Sequence, residues 1–508
     1  MKKILALVLA MLMLLSLVPT LAEYDEHITF SATYVDRGST AKDAMYDFFC
    51  DQFNVDIEMI PIAWSALNDT NSVMIMGGTM YDWMMITWDY STYRTYMEQG
   101  LIKPLPENFR ELYPNIARAF DASGVGDYLY YDDGLAYGTP MPIFFNFASR
   151  PYSLNMMAVY YRVDWAEELG FDWGASVTVS EFEEYLRACV ANDMCGNGQT
   201  IGLSSAGTIG MYMNVLAEGY NGFNLVDGQY VWGPTMDGVT DAIKYIKTIY
   251  EEGLIDPDFY ALDTFSAQNK LPAGMTSALY QTGTATNYQI ILDAAASAGM
   301  ENAVEKIKPV MLTDENGVWH GGEVKNFWCI NVFRPDLDDE TYTRILSLLD
   351  YLYSKEAEEV FNMGIKGVDW DVDAEGYYVS MLEEEYSNIR EKYPSGWFWR
   401  DTAICLDEFD LVNPTYSKAV LDNINAVYDF RYQSAEKNGY RAIDNKVNFL
   451  NTEAMRNYSV DIDSEITRIV CDDTISMDDV EAQWATFIEQ NAGLWQPVVN
   501  DLNAACAE

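Results

Sequence analysis

The chain has 508 residues, which is too long for one hydrophobic core and predicts two or three domains of roughly 150 residues each. Hydrophobic residues make up 49% of the sequence and charged residues 21%, proportions that indicate a folded globular protein and exclude a disordered one. The formal net charge of −47 at pH 7 repels phosphate backbones and anionic lipid headgroups. Nucleic-acid binding and membrane-surface binding are therefore both disfavoured.

The first residues have the pattern of a secretion signal. Lys2 and Lys3 precede an apolar run from Ile4 to Val18, and small residues follow up to Ala22. This run is shorter than the roughly 20 apolar residues that span a bilayer. We expect cleavage after Ala22, which would release a soluble protein that starts at Glu23; an uncleaved membrane anchor is the alternative.

Strand-like and helix-like segments alternate in the next part of the chain. They are a strand from His27 to Val35, a helix from Ala41 to Phe53, a strand from Val55 to Ile62, a helix from Trp64 to Gly77 and a strand from Tyr81 to Thr87. This alternation predicts a parallel sheet covered by helices. Ligands of such sheets bind beyond the carboxyl ends of the strands. Trp88 and Asp89, which follow the third strand, are therefore the first candidates for ligand contact.

A second α/β region begins near Tyr160. We expect a helix from Ser180 to Ala191, capped by Thr178 or Ser180, and then a strand from Thr200 to Leu203. Apolar residues at helical spacing also predict one long helix from Asp338 to Met363 and a helical C-terminal region.

Cysteines and histidines are too few to define a catalytic or metal centre. The seven cysteines are scattered and odd in number, so free thiols are expected, although Cys189 and Cys195 could close a small loop. His27 and His320 are the chain's two histidines, which excludes a His-based metal cluster, and neither lies in a recognisable catalytic motif. We expect no cofactor and no metal.

Several segments, taken in order, resemble family 1 extracellular solute-binding proteins of ABC sugar importers, in the branch with a lipoprotein-like oligosaccharide or aldouronate annotation. The resemblance rests on 160–170 (YYRVDWAEELG), 178–182 (TVSEF), 193–198 (DMCGNG), 201–203 (IGL), 250–259 (YEEGLIDPDF) and 356–370, above all NMGIKGVDW at its end. The resemblance as a whole extends over nearly the full chain after the signal.

The resemblance implies a type II periplasmic-binding-protein-like fold, with two α/β lobes, a mainly parallel sheet in each, and a ligand cleft between them. By analogy, lobe one holds residues 23–140 and 325–366, and lobe two holds residues 141–324 and 367–508. The implied function is capture of an oligosaccharide for a membrane permease, by a monomer without enzymatic activity. A secreted glycoside hydrolase is the main alternative, because it would share the signal and an aromatic sugar surface while needing just two carboxylates.

Two features depart from the family pattern. Relatives in Gram-positive cells usually carry a lipid-accepting cysteine directly after the signal, whereas the first cysteine here is Cys50. The loop at Asp193 resembles a calcium loop of some relatives, but Cys195 takes the next alternate position and no bidentate acid ends the loop. A plain Asn-Gly turn is the favoured interpretation of this loop.

Sugar recognition needs flat aromatic faces together with polar groups for the hydroxyls. Trp328 and Trp370 lie near the expected crossings between lobes, and Trp397 and Trp399 lie in an expected loop marked by Pro394 and Gly396. We predict ligand contact for all four, with core packing as the alternative for each. Arg162 is a further candidate, for which a structural ion pair is the favoured alternative.

Overall fold

The computed structural model describes residues 24–38, 41–87, 89–143, 154–262, 264–374, 376–386, 388–403 and 413–506. Its internal contacts divide the chain into two units. Unit 1 comprises Met1–Phe145 and Asn326–Asp407, and unit 2 comprises Asn146–Lys325 and Glu408–Glu508. The predicted signal segment and Trp88 lie outside the described residues.

The strands of the described residues form two five-stranded sheets and two hairpins. In chain order they are β1 (Ile28–Val35), β2 (Val55–Ile62), β3 (Trp83–Ile86), β4 (Thr139–Pro142), β5 (Met157–Arg162), β6 (Ser176–Thr178), β7 (Ile201–Leu203), β8 (Phe223–Val226), β9 (Gln229–Trp232), β10 (Thr276–Thr282), β11 (Ile307–Thr313), β12 (Phe327–Phe333), β13 (Trp370–Val372) and β14 (Tyr378–Ser380).

Helices connect and cover these strands. They are Ala44–Phe53, Leu67–Met76, Tyr90–Glu98, Phe109–Leu112, Pro114–Ser123, Val163–Leu169, Val179–Ala191, Thr208–Leu216, Val239–Glu251, Thr264–Lys270, Ala285–Ser297, Ala303–Lys306, Asp339–Leu352, Lys355–Met363, Ile389–Lys392, Gly396–Ala403, Lys418–Asn438, Asn445–Asn448, Glu453–Asn457, Ile462–Cys471, Val480–Gln490 and Ala492–Cys506.

The sheet of unit 1 has the strand order β2-β1-β3-β12-β4. β1 pairs in parallel with β2 and β3, while β12 runs antiparallel to both β3 and β4. Four of its strands therefore point the same way, and β12 is the exception. Apolar side chains such as Phe30, Ile57 and Met84 are buried on this sheet, and their burial supplies the main driving force for folding of the unit.

The sheet of unit 2 has the order β6-β11-β5-β10-β7 and repeats this arrangement. β10 is parallel to β7 and β11 is parallel to β6, while β5 runs antiparallel to β10 and β11. The C-terminal helices pack on this unit through buried residues that include Ile466, Trp484 and Leu502. The predicted two-lobe α/β architecture is confirmed, with one reversed strand in each mainly parallel sheet.

The predicted helix over Asp338 to Met363 is two helices in the structure. Asp339–Leu352 ends at Tyr353, and Ser354 begins the next helix by accepting a hydrogen bond on its side chain from the Ala357 amide at 3.2 Å. The backbone of Ser354 is extended, with φ −80° and ψ 155°, so the helical conformation is interrupted at this residue. The apolar spacing alone conceals this break.

The assignment of residues 367–407 differs from the expectation, because they belong to unit 1. Their aromatic side chains explain this placement: Trp399 lies 4.7 Å from Phe49 and 6.0 Å from Tyr46, measured between ring centroids, and both partners are on helix Ala44–Phe53. The described part of this segment, up to residue 403, therefore packs within unit 1.

Among the helices of the described residues, none is both long enough and apolar enough to cross a membrane.

Candidate functional site

The carboxyl edge of the unit 1 sheet brings together side chains from several segments. β1, β2, β3 and β4 share one direction, so their carboxyl ends meet at one edge, where β12 begins. Trp64 starts a short 3-10 segment two residues after β2, and Trp328 is the second residue of β12. Both tryptophans are consequently at the edge where α/β sheets bind ligands.

Trp64 and Trp328 form a stacked pair, which we call the indole pair. Their ring centroids are 5.2 Å apart and their planes are inclined by 14°. Trp64 is 44% exposed, whereas Trp328 is half-buried against a small core that contains Val35, Met141 and Cys329. A wide aromatic face that is fixed from behind and open in front suits the apolar face of a pyranose ring.

Asp89 lies at the same edge and has a structural task. It caps helix Tyr90–Glu98, where its Oδ1 accepts hydrogen bonds from the Thr92 amide at 2.7 Å and from the Ser91 hydroxyl at 2.9 Å. The side chain is exposed, so it stays a predicted ligand contact. Trp88 falls outside the described residues and also stays a prediction.

Trp397 is half-buried among charged groups of unit 1. The guanidinium carbons of Arg390 and Arg37 lie 4.9 Å and 5.1 Å from its ring centroid. Arg37 is in turn held by the buried carboxylate of Asp401, with Nε and Oδ2 2.9 Å apart. Cation–π contacts of this kind occupy aromatic faces that a sugar would use.

Trp370 and Trp399 have no open ring face. Trp370 is 2% exposed and donates its indole N–H to the carbonyl of Gly364 at 2.9 Å, and Trp399 is fully buried. Sugar stacking needs an accessible face, so burial removes both from the candidate site. Trp370 and Trp399 are core residues, which was the alternative given for both.

Arg162 makes the structural ion pair that was its favoured alternative. Its Nε and Nη2 donate to the two carboxylate oxygens of Asp164 at 2.8 and 2.6 Å, and the guanidinium carbon lies 4.3 Å from the ring centroid of Trp165. The residue is 8% exposed. A bidentate arginine in this setting fixes local structure and has little capacity left for a ligand.

Unit 2 has its own pocket at the carboxyl edge of its sheet. The pocket, called here the His320 pocket, lies where β10 and β11 end and β5 begins. Its lining includes Met157, Asn214, Tyr280, Trp319 and His320. Concave sites with an apolar floor and a few converging polar groups are typical of small-ligand recognition.

His320 is fixed between two carboxylates. Its Nδ1 lies 3.3 Å from Glu218 Oε2, and its Nε2 lies 3.1 Å from Asp314 Oδ2. The hydrogen bond to Glu218, helped by that to Asp314, raises the pKa of His320 above its usual value of 6.5, although partial burial opposes this. An imidazole that donates from both nitrogens carries a positive charge. When it is protonated, His320 therefore neutralises part of the negative charge of Glu218 and Asp314.

The Asp193 loop is held by hydrogen bonds to its own carboxylate. Asp193 Oδ2 accepts from the Gly198 amide at 2.7 Å, and Oδ1 accepts from the Thr200 hydroxyl at 2.9 Å. The Gly198 amide in particular lowers the pKa of this aspartate. Both oxygens thus serve the turn, which agrees with the favoured interpretation of the loop.

Two site features escaped the sequence interpretation. Trp64 follows a strand end in the same way as Trp88, so the topological rule that selected Trp88 could also have found it. The sequence around His320 did not suggest a binding site. Its partner Glu218 is about a hundred positions away in the sequence, and the two residues meet only in the folded protein.

Two α/β units, each with polar and aromatic side chains at the carboxyl edge of its sheet, are the architecture of a solute-binding protein. A family model for bacterial extracellular solute-binding proteins matches residues 44–360, well over half of the 508-residue chain. The chain belongs to this family, which confirms the resemblance seen in the sequence and places the protein outside the cytoplasm.

Individual relatives agree with this assignment. Lipoprotein LipO of Bacillus subtilis (strain 168) is 25% identical over 259 residues, which are 48% of this chain and 49% of LipO. The chain thus matches about half the length of that curated relative.

Solved structures show the fold over nearly the full length. The S. pneumoniae ABC-transporter substrate binding protein FusA, as an EF-hand mutant in complex with fructo-nystose, gives a TM-score of 0.67 at 14% identity, covering 94% of this chain and 99% of that chain. The alginate-binding protein AlgQ2 without calcium ion gives 0.64 at 13% identity, covering 96% and 99%.

Proposed function

We propose that this protein captures an oligosaccharide outside the cytoplasm and delivers it to the membrane permease of an ABC importer, without catalysing a reaction. The observation that carries the proposal is the indole pair of Trp64 and Trp328, an open aromatic face at the ligand-binding edge of a sheet. The family supplies the general role of solute binding.

The known ligands of similar structures support the carbohydrate class. One similar structure is FusA in complex with kestose, and another is an HMO binding ABC-transporter associated solute binding protein from Bifidobacterium longum infantis. Stacking of a pyranose on an indole uses dispersion and the hydrophobic effect, which suit sugars better than amino acids or inorganic ions.

The test is calorimetry of the purified protein against a panel of neutral, acidic and N-acetylated oligosaccharides. We expect saturable binding of at least one class, a melting temperature that rises with its concentration, and no release of reducing sugar. Release of reducing ends from a bound ligand would establish the hydrolase alternative instead. A flat response to every saccharide would refute the carbohydrate class.

Matched variants locate the binding face. Trp64→Ala should weaken binding by about tenfold, equivalent to about 1.4 kcal/mol. Tyr377→Ala is the control, because Tyr377 is an aromatic residue of the same unit that is 71% exposed but lies on the β13–β14 hairpin. Equal losses for the two variants would remove the indole pair from the site.

We further infer that the protein is exported by a signal segment that is cleaved after Ala22. The charged start, the short apolar run and the small residues before Glu23 support this. N-terminal sequencing of the protein recovered from its native cell envelope should begin at Glu23. An intact Met1 terminus would make the first segment a membrane anchor.

A further inference from the structure

We propose that the His320 pocket of unit 2 receives the N-acetyl group of an acetamido sugar, so that the ligand is an N-acetylated oligosaccharide. This inference rests on the proposed function, because it assigns a substrate class to a carbohydrate-binding protein. It follows from the floor, the rim, the charge and the wall of the pocket.

The floor of the pocket is apolar. Met157, Val159, Met211 and Leu312 line it, and Val159 and Met211 are buried. A methyl group gains free energy by leaving water for such a surface. A hydroxyl group placed there would lose its hydrogen bonds to water without replacement. The floor therefore selects a methyl-bearing substituent over a hydroxymethyl group.

The rim offers the partners that an amide needs. Asn155 uses its Oδ1 to accept from the Met157 amide at 2.8 Å, which leaves its NH₂ group as a donor. Within the described part of the chain, no hydrogen bond is recorded for the Asn214 carboxamide or the Tyr280 hydroxyl. Burial raises the pKa of Tyr280, so its hydroxyl keeps its proton.

These three groups complement an acetamido substituent. Its carbonyl oxygen can accept from the Asn155 amide or the Tyr280 hydroxyl, and its N–H can donate to the Asn214 carbonyl oxygen. A bound amide would thus give hydrogen-bond partners to all three groups of the rim. A carboxamide that both donates and accepts is a better match for an amide than for a carboxylate, which accepts alone.

The charge near the pocket disfavours an acidic sugar. Glu218 and Asp314 lie on either side of His320, and these two acids outnumber the single positive charge that the imidazole can carry. A uronic-acid carboxylate would be repelled by these groups, whereas a neutral acetamido group would not.

The wall of the pocket is held in a fixed position. Trp319 is 7% exposed, and its backbone N–H donates to the Ser434 hydroxyl at 3.2 Å. Its ring lies so close to Gly321 that a Cβ atom there would be 1.8 Å from the indole Cζ2. A wall that cannot relax makes the pocket selective for the size of the group it accepts.

The experiment compares three trisaccharides that differ at C2 of each sugar, with the full chain as purified. N,N′,N″-Triacetylchitotriose carries acetamido groups, cellotriose carries hydroxyl groups, and deacetylated chitotriose carries amines. We expect the acetylated trisaccharide to bind at least about tenfold more tightly than cellotriose. Tighter binding of the amine form, or equal binding of all three, would overturn the proposal.

Variants of the rim test the pocket directly. Asn214→Leu should remove the preference for the acetylated trisaccharide over cellotriose. Asn457→Leu is the control, an exposed helical asparagine of the same unit outside the pocket. Val215→Phe, which narrows the pocket without removing a polar group, provides a second variant with the same expected effect should Asn214→Leu fail to fold.

The outcomes separate this inference from the proposed function. Binding of other oligosaccharides without preference for the acetylated form would overturn the N-acetyl assignment and leave carbohydrate capture in place. Absence of binding to every saccharide of the larger panel would refute the proposed function itself. An unchanged preference in a folded Asn214→Leu or Val215→Phe variant would show that the pocket is not the site.

Discussion

The indole of Trp328 supports the indole of Trp64, with 5.2 Å between their ring centroids. Trp328 belongs to β12, which pairs with β3 and β4, whereas Trp64 lies in an exposed 3-10 segment of three residues. The strand thus provides the rigid half of the pair, and the short segment provides the accessible half. Each ring should depend on the other for its contribution to binding.

This dependence predicts a non-additive double-mutant cycle. Trp64→Ala and Trp328→Ala should each weaken oligosaccharide binding by about tenfold. The double variant should lose less than the sum of the two, because either truncation already destroys the platform, with a coupling energy of about 0.5–1.5 kcal/mol. Calorimetry on the four proteins measures the cycle. Fully additive losses would show that the two rings act separately.

A second prediction concerns the stability contribution of His320. Its pKa in the folded protein is raised above the usual value of 6.5, chiefly by the hydrogen bond to Glu218. The protonated imidazole is therefore favoured by folding, and its contribution is fully present below that value. The contribution is lost as the pH rises through the folded-state pKa.

His320→Gln should accordingly be destabilised relative to the parent protein at about pH 5.5, and the difference should shrink towards about pH 9. Denaturant unfolding of both proteins across this range measures the effect. His27→Gln serves as the control, since His27 is exposed and its Nδ1 lies 3.0 Å from the uncharged side chain of Asn54. A difference that does not change with pH would contradict the charged imidazole.

The third prediction concerns the anchor of the β13–β14 hairpin. Lys392 Nζ lies 2.7 Å from Asp369 Oδ1, and the Asp369 side chain is completely buried. Burial by itself would lower the pKa of Lys392, but its hydrogen bonds to Asp369 and Glu383 raise it well above the usual value. The hairpin strands are tied to this point, because Met381 donates its backbone N–H to the carbonyl of Asp369 at 2.7 Å.

Asp369→Asn should therefore destabilise the protein by about 3 kcal/mol. This value is at the lower end of the range for breaking a buried ion pair, because Glu383 still pairs with Lys392 in the variant. Asp422→Asn breaks the exposed pair of Lys418 and Asp422, whose side chains are 85% and 59% exposed, and should cost less than about 0.5 kcal/mol. Chemical denaturation compares the two. Similar small losses would show that Asp369 is not an anchor.

The parts of the fold that sequence predicts well are those fixed by local pattern. β2 spans Val55–Ile62 as expected, and Thr178 caps helix Val179–Ala191 with a complete capping box. Tertiary contacts decided the rest. Trp399 was expected in a loop, but it lies in helix Gly396–Ala403 and packs on Phe49, some 350 residues earlier in the chain.

In the candidate site, too, local sequence pattern predicted some features and tertiary contacts decided the others. Trp328 was named because it neighbours an expected crossing. The position of Trp64 after a strand could have suggested that residue too, but its stacking on Trp328 joins β12 to the segment after β2 and is visible only in the fold. Trp370 and Trp399 were named for their sequence surroundings, which carry no information about burial. The sequence shows where a tryptophan is, and therefore which contacts its ring could make. Whether the ring is exposed depends on the side chains that pack against it in the folded protein.

The last prediction tests the fixed wall of the His320 pocket. At Gly321 an added Cβ would meet three atoms of the Trp319 indole between 1.8 and 2.3 Å. Because Trp319 is buried, Gly321→Ala must displace the ring or the loop, at a cost of about 1–3 kcal/mol. Gly174→Ala is the control, since nothing lies within 4 Å of a Cβ there. Denaturant unfolding and tryptophan fluorescence should change for Gly321→Ala and stay nearly constant for Gly174→Ala. An unchanged Gly321→Ala protein would mean that the wall can yield, and a pocket with a yielding wall could not select its ligand by size.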